Sequence, residues 1–207
     1  MSDSPLKIGV LVSGGGTNLQ KIIDEIAADA LDAEIVLVAS SRPDAFGLER
    51  AKKAGIPVLA LGRSYYDAGT ADTTIARAMQ DAGAEYLVMA GYMRLIGPEV
   101  FAAYPDRVIN IHPALLPSFP GAHGIQDAFD AGVKVTGVTV HFANEVYDEG
   151  PIIAQRAVSV REDDTVESLE ERIHATEYEI YPWVLRRLAA GDITLGADRR
   201  VHVANGE

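Results

Sequence analysis

Val10-Leu11-Val12-Ser13-Gly14-Gly15-Gly16-Thr17-Asn18-Leu19 is the stretch that decides the fold. Its first three residues complete an apolar run, Lys7–Val12, that reads as a buried strand. Ser13–Asn18 reads as a tight turn, and Leu19, Ile22, Ile23 and Ile26 then recur at helical spacing. Three glycines permit backbone angles and close approaches that side chains block, and Thr17 or Asn18 can cap the helix. Free N–H groups and the positive helix end make an anion site suited to a phosphate. A turn that merely connects strand to helix is the plain alternative. A dinucleotide fingerprint, G-x-G-x-x-G, would need glycine where Leu19 stands, and the second strand ends Ser40-Ser41-Arg42-Pro43 with no acid for a ribose. A P-loop lacks its Gly-Lys-Ser/Thr. Ser13 is no nucleophile elbow, because Leu11 occupies the first glycine position of G-x-S-x-G. A small molecule bearing a monophosphate fits best.

Outward from this unit, strands and helices alternate. Glu34–Ala39, Pro57–Leu61, Tyr86–Ala90 and Arg107–Ile111 read as strands. Between them, Ala45–Ala54 reads as a helix closed by Gly55 with Pro57 beyond, Thr70–Ala82 as a second and Pro98–Ala103 as a short third. Alternation with short connections implies an α/β fold, a mostly parallel twisted sheet of about seven strands with helices on both faces. After His112 the chain turns rich in Pro and Gly as far as Gly124. Val135–Phe142 and Ile152–Val160 are β-branched and read as strands flanking a functional loop, Asn144–Pro151. Thr165–Leu188 reads as a long helix, and Asp192–Val203 as a small hairpin. One domain, residues 1–207, is expected.

Composition narrows the function. Eighteen basic against thirty acidic residues leave a net charge of -12. Nucleic-acid binding is disfavoured, since a phosphate backbone needs concentrated positive surface. An anionic small molecule would be held by backbone N–H groups and a few arginines. The chain has no cysteine, which excludes disulfides and thiolate catalysis. MSDSPLKIGV does not resemble a signal peptide, and no stretch approaches the roughly 20 apolar residues that span a bilayer. The expectation is a cytoplasmic protein without a membrane segment.

Asn110-Ile111-His112-Pro113 ends a buried strand, and alternation puts Asn110 and His112 on one side of it. In open α/β sheets ligands bind at the carboxyl ends of strands. Asn110 can donate from its carboxamide, and His112 can donate or shuttle a proton. Asp148, before Gly150-Pro151, is the natural carboxylate partner: near His112 it would fix the imidazole and favour its charged form. Taken singly, His112 reads equally as a structural or capping histidine, and Asp148 as a turn residue.

The motifs SGGGTNL, AFGLERA, AGYMRLI, INIHPALLPSFPGAHG, GVTVHF and DEGPIIAQ run over nearly the whole chain to Glu177 and Tyr181-Pro182. Together they resemble the folate-dependent phosphoribosylglycinamide formyltransferases, the glycinamide ribonucleotide transformylase family. N-x-H-P-x-L-L-P with D-x-G-P-I is specific to formyltetrahydrofolate-dependent transferases, and the glycine turn with AFGLERA favours the ribonucleotide-using branch. The resemblance implies transfer of a formyl group from 10-formyltetrahydrofolate, the co-substrate, to the amine of glycinamide ribonucleotide. It implies Asn110, His112 and Asp148 as the catalytic trio. Gly16, Thr17 and Asn18, with Gly15 adjacent, match the phosphate-holding positions, and Glu177 a contact to the ribonucleotide. Met93, Arg94, Leu95 and Ile96 match the segment lining the folate pocket, and Asn144 to Tyr147, including Val146, the loop over the pterin. The N-terminal half would then hold the phosphate site and the C-terminal half the folate and catalytic site, in a monomer or homodimer.

One departure stands out. Family members commonly carry Ser-Arg-Glu after the third strand, with the Arg on the folate. Here Ser64-Tyr65-Tyr66-Asp67-Ala68-Gly69-Thr70 has no arginine, and Arg63 is the neighbouring one. Arg94 also reads as a solvated loop arginine, and His141 as a hydrogen-bonded packing residue. His123 is open to substrate contact or none, and His174 faces either site or solvent. The histidines make no zinc spacing, so no metal is expected. Glu162-Asp163-Asp164 reads as a helix start in water. Rival readings are a methionyl-tRNA or sugar-amine formyltransferase, a formyltetrahydrofolate hydrolase, or a binding module that keeps the fold. The tRNA enzyme would need a basic C-terminal domain and the hydrolase an extra N-terminal one, and neither is expected here.

Overall fold

A computed structural model of the chain describes residues 4–204. Strand β1 (Leu6–Val12) is buried from Ile8 onward, as an apolar run covered on both faces must be. It pairs in parallel with β2 (Ala33–Ser40) and β4 (Tyr86–Met89), and β2 pairs in parallel with β3 (Val58–Ala60). Helix α1 (Thr17–Ala27) follows β1. Its Leu19 and Ile22 are wholly buried, worth about 1.5–3 kcal/mol each. The helices α2 (Phe46–Lys53), α3 (Arg63–Asp67), α4 (Ala71–Asp81) and α5 (Pro98–Ala103) fill the connections up to β5 (Val108–His112). Beyond β5 come α6 (Gly124–Asp130), β6 (Val135–Phe142), β7 (Ile152–Ser159), α7 (Val166–Ala189) and the strands β8 (Ile193–Leu195) and β9 (Val201–Val203).

Seven strands form one mostly parallel sheet in the order β3-β2-β1-β4-β5-β6-β7, with β6 and β7 antiparallel. β8 and β9 form the separate antiparallel hairpin expected over Asp192–Val203. The order reverses between β1 and β4, so the loops leaving those two strands occupy the switch point where α/β sheets bind ligands. By packing density the chain divides into two compact units, residues up to 109 and from 110 onward. Among the described residues, no helix is long and apolar enough to cross a membrane.

Two helices escape a reading of apolar periodicity. α3 has five residues, none buried, and α6 has seven, of which only Gly124 and Ala128 are buried. Neither is long enough to show a 3.6-residue stripe. β5 extends one residue beyond the expected end and takes in His112. The start of α7 also differs from expectation. Thr165 and Ser168 form a reciprocal capping box, the arrangement that satisfies two orphan helix donors at once. Asp164 does not stand in water: its side chain is covered and paired with Arg172, and it accepts from Ser168.

Candidate active site

In the first unit the glycine turn is built almost entirely from backbone. Gly16 caps α1 with φ 68° and provides no side chain to do so. A Cβ at Gly16 would lie 2.6 Å from the Gly47 Cα, so two glycines let the starts of α1 and α2 approach. Gly47 N–H donates to the Gly14 carbonyl at 3.0 Å, and Arg50 Nε–H donates to the Gly15 carbonyl at 2.8 Å. Thr17 and Asn18 form the first turn of α1, whose N–H groups have no intrahelical acceptors.

The loop after β4 is tied to that turn through Ser13. Ser13 N–H donates to the Gly91 carbonyl at 3.0 Å, and Met93 N–H donates to Ser13 Oγ at 2.8 Å. This fixes the backbone at Met93, while the Met93 and Leu95 side chains are 67% and 74% exposed. Two large apolar side chains held outward on an anchored loop suit a flat apolar ligand. Arg94 is not a free loop arginine. Its guanidinium lies 4.4 Å from the centre of the Tyr66 ring on α3, and the Tyr66 and Tyr92 hydroxyls bond at 2.9 Å. The segment that lacks the expected arginine thus supplies a tyrosine platform for Arg94, and Arg63 is exposed.

In the second unit, side chains do the work. His112 is buried, and its Nδ1 lies 3.4 Å from Asp148 Oδ2. Its Nε2 lies 2.8 Å from the Phe119 carbonyl, to which it donates. Both ring nitrogens therefore face acceptors, and a doubly protonated ring satisfies both. Gly124 leaves room for the ring: a Cβ there would lie 3.1 Å from His112 Nε2. Asp148 takes φ 56° and accepts from Gly121 N–H at 2.8 Å. Burial would raise its carboxyl. The His141 ring, the Gly121 N–H and the charge of His112 outweigh burial and hold it below its ordinary value. Asp148 Oδ1 is buried with no hydrogen-bond partner, since His141 Nε2 stands 3.6 Å away.

His141 is buried and hydrogen-bonded as expected, and it also belongs to this cluster. Its Nδ1 lies 3.1 Å from the Phe142 carbonyl, and Asn110 Nδ2 lies 3.2 Å from its Nε2. With hydrogen on Nδ1 the ring donates to the carbonyl and accepts from Asn110. The second N–H of that carboxamide stays available. A histidine buried among β-branched residues is the signal that was there to find.

The loop carrying Phe119 and Gly121 is clamped to β6 and β7. Thr139 Oγ1 donates to the Ala114 carbonyl at 2.7 Å and accepts from Leu116 N–H at 3.0 Å. Gln155 Nε2 reaches both the Leu116 carbonyl and Thr139 Oγ1. Thr139, Gln155 and Gly124 carry no catalytic signature by type, so only their contacts reveal them. In the 144–148 segment, Asn144 Oδ1 accepts from Val146 N–H at 3.0 Å and shapes the turn, leaving Val146 and Tyr147 exposed. On α7, Glu177 is buried and pairs with His174 Nδ1 at 2.9 Å. That contact raises the His174 pKa and outweighs burial, which would lower it. His123 is exposed at the start of α6. Among the described residues, no group of three His, Asp or Glu side chains could hold a metal ion.

Comparison with known proteins gives the family. A formyl transferase family model matches residues 6–185. A phosphoribosylglycinamide formyltransferase of Bacillus subtilis is 42% identical over 183 residues, covering 88% of this chain and 94% of that protein. The crystal structure of glycinamide ribonucleotide transformylase 1 from Symbiobacterium toebii is 44% identical. It superposes with a TM-score of 0.94, covering 99% of this chain and 96% of that one. A formyltetrahydrofolate deformylase from Pseudomonas syringae shares the fold at a TM-score of 0.91 and 27% identity, covering 98% of this chain and 67% of that one. With a family model over most of its length and full-length relatives above 40% identity, the chain belongs to the formyl transferase family, among the phosphoribosylglycinamide formyltransferases.

Proposed function

We propose that this enzyme transfers the formyl group of 10-formyltetrahydrofolate to the amine of glycinamide ribonucleotide, a step of purine biosynthesis. The observation that carries the reading is the convergence of Asn110, His112 and a buried, ionised Asp148 in a chain of this family. The neutral amine attacks the formyl carbon, and negative charge grows on the formyl oxygen. Asn110 donates to that oxygen through its remaining carboxamide N–H, and the His112 ring donates to it when its Nε2–H exchanges the Phe119 carbonyl for the formyl oxygen. Removing one such donor typically costs about 10²–10³ in rate. The bond from the formyl carbon to the donor nitrogen then breaks. The amine loses a proton and the leaving nitrogen gains one, giving tetrahydrofolate and the formylated ribonucleotide.

Asp148 holds the His112 ring in orientation through the 3.4 Å contact to Nδ1. Its partnerless Oδ1 is the acceptor at which a water carrying the transferred proton would bind. The glycine turn, through Gly15, Gly16, Thr17 and Asn18, receives the substrate phosphate on backbone N–H groups, and Glu177 contacts the ribonucleotide. Met93, Arg94, Leu95 and Ile96, with Asn144, Val146 and Tyr147, receive the folate. Support for this comes from the exposure of their apolar side chains on anchored backbone.

The test is an acceptor panel with purified protein and 10-formyltetrahydrofolate, following absorbance of the released folate. Turnover that depends on glycinamide ribonucleotide is expected. Acceptor-independent release would make the protein a hydrolase, and turnover only with another amine would reassign its substrate.

A further inference from the structure

The motif Ala45-Phe46-Gly47-Leu48-Glu49-Arg50-Ala51 has no role in the transfer chemistry, yet its contacts converge on the glycine turn. Two consecutive peptide carbonyls of that turn are engaged by α2: Gly14 by the Gly47 N–H at 3.0 Å, Gly15 by the Arg50 Nε–H at 2.8 Å. In a trans peptide unit the carbonyl and the N–H point in opposite directions. Drawing both carbonyls onto α2 therefore turns the N–H groups of Gly15 and Gly16 away from α2. Arg50 holds this state with a fork. Its Nη1 donates to Gln20 Oε1 on α1 at 3.1 Å, so one guanidinium spans the turn and the helix that follows. The guanidinium also lies 4.9 Å from the centre of the Phe46 ring, a 52% exposed side chain whose face orients it. The two-glycine contact between Gly16 and Gly47 brings α2 close enough for all of this.

We propose that Arg50 is a positioning residue for phosphate recognition: its fork locks the glycine turn with the Gly15 and Gly16 amides aimed together at the phosphate of the substrate. The inference rests on the proposed function and deepens it. A turn of three glycines is otherwise among the most freely rotating segments a chain can have, and pre-set donors bind without the ordering cost that free ones incur.

The test compares Arg50→Ala and Arg50→Lys with the wild type. Arg50→Ala is expected to raise KM for glycinamide ribonucleotide by about 10- to 100-fold, the range for losing a charged hydrogen bond. Its kcat and its KM for the formyl folate stay within about twofold. Arg50→Lys keeps the charge but not the fork and is expected to recover little of the loss. An unchanged ribonucleotide KM in Arg50→Ala, an equal rise in the folate KM, or full recovery in Arg50→Lys overturns the proposal. Titration with ribose 5-phosphate, followed at the Gly15 and Gly16 amide signals by NMR, reads the turn without turnover. Both signals move in the wild type and lose that response in Arg50→Ala; equal response in both proteins, or none in either, also overturns it. A wild type that binds this probe but does not formylate glycinamide ribonucleotide would sink the proposed function and leave the clamp standing.

Discussion

At the glycine turn, polar groups are aimed by backbone with the help of one arginine: Gly16 stands at positive φ, the Gly14 carbonyl is drawn onto α2 by the Gly47 N–H and the Gly15 carbonyl by Arg50. At His112 the work falls to side chains. An imidazole lies between a carboxylate and a carbonyl, and a carboxamide shares its hydrogens with a second imidazole. The first region offers fixed partial charges that no pH change can remove. The second holds full charges that burial penalises and neighbours restore. The lesson is a difference of means: one region presents dipoles whose strength is independent of pH, the other groups that titrate.

That contrast predicts different kinetic signatures, the largest at His112. His112→Ala and Asp148→Asn are expected to lower kcat by about 10²–10⁴ with ribonucleotide KM within about threefold. Near-normal turnover in either variant would break the comparison. Gly16→Val should do the reverse. It forces a β-branched residue into φ 68° and a Cβ to 2.6 Å from Gly47, raising ribonucleotide KM by about tenfold or more and lowering kcat far less. A thermal melt alongside separates loss of binding from loss of fold.

Smaller effects sharpen the picture. Thr139→Val removes one donor and one acceptor that tie the Ala114–Leu116 backbone to β6. Chemical denaturation should show a loss of about 1–3 kcal/mol, with a several-fold lower kcat because the Phe119 carbonyl and Gly121 N–H shift. For Asp148 the folded carboxyl sits below its ordinary value of 3.8. Its stabilising contribution is therefore complete above that pH and lost as pH falls below it. An acid limb of kcat that belongs to Asp148 should lie under pH 3.8, and a limb at higher pH that Asp148→Asn abolishes would contradict this. The smallest effect concerns His174, raised above 6.5 by Glu177. The pair is intact below pH 6.5 and dissolves as pH climbs through the raised value. His174→Ala should change ribonucleotide KM by about twofold in the acid range only.

Legibility in the sequence followed the range of the interactions. Long apolar runs such as Ile8–Val12 and the stripe of Leu19 and Ile22 announced the sheet and its helices, because each element's burial pattern is written in its own residues. Helices α3 and α6, at five and seven residues, carried too little pattern to be seen. Asn110, His112 and Asp148 were legible because unusual residue types stood at strand and loop ends. His141 and Arg50 were not, because a histidine in a strand and an arginine in a helix have ordinary explanations.

What the sequence determined by itself was the alternating α/β order, the glycine turn and which polar residues stand at the strand and loop ends, all properties of short segments. Tertiary structure alone decided that His141 joins the cluster, that Asp148 stays ionised although buried, that Tyr66 carries Arg94, and that Arg50 grips the Gly15 carbonyl. Each of these depends on residues distant in sequence meeting within a few ångströms. A contact of that kind is set by the packing of whole elements and leaves no local pattern to read.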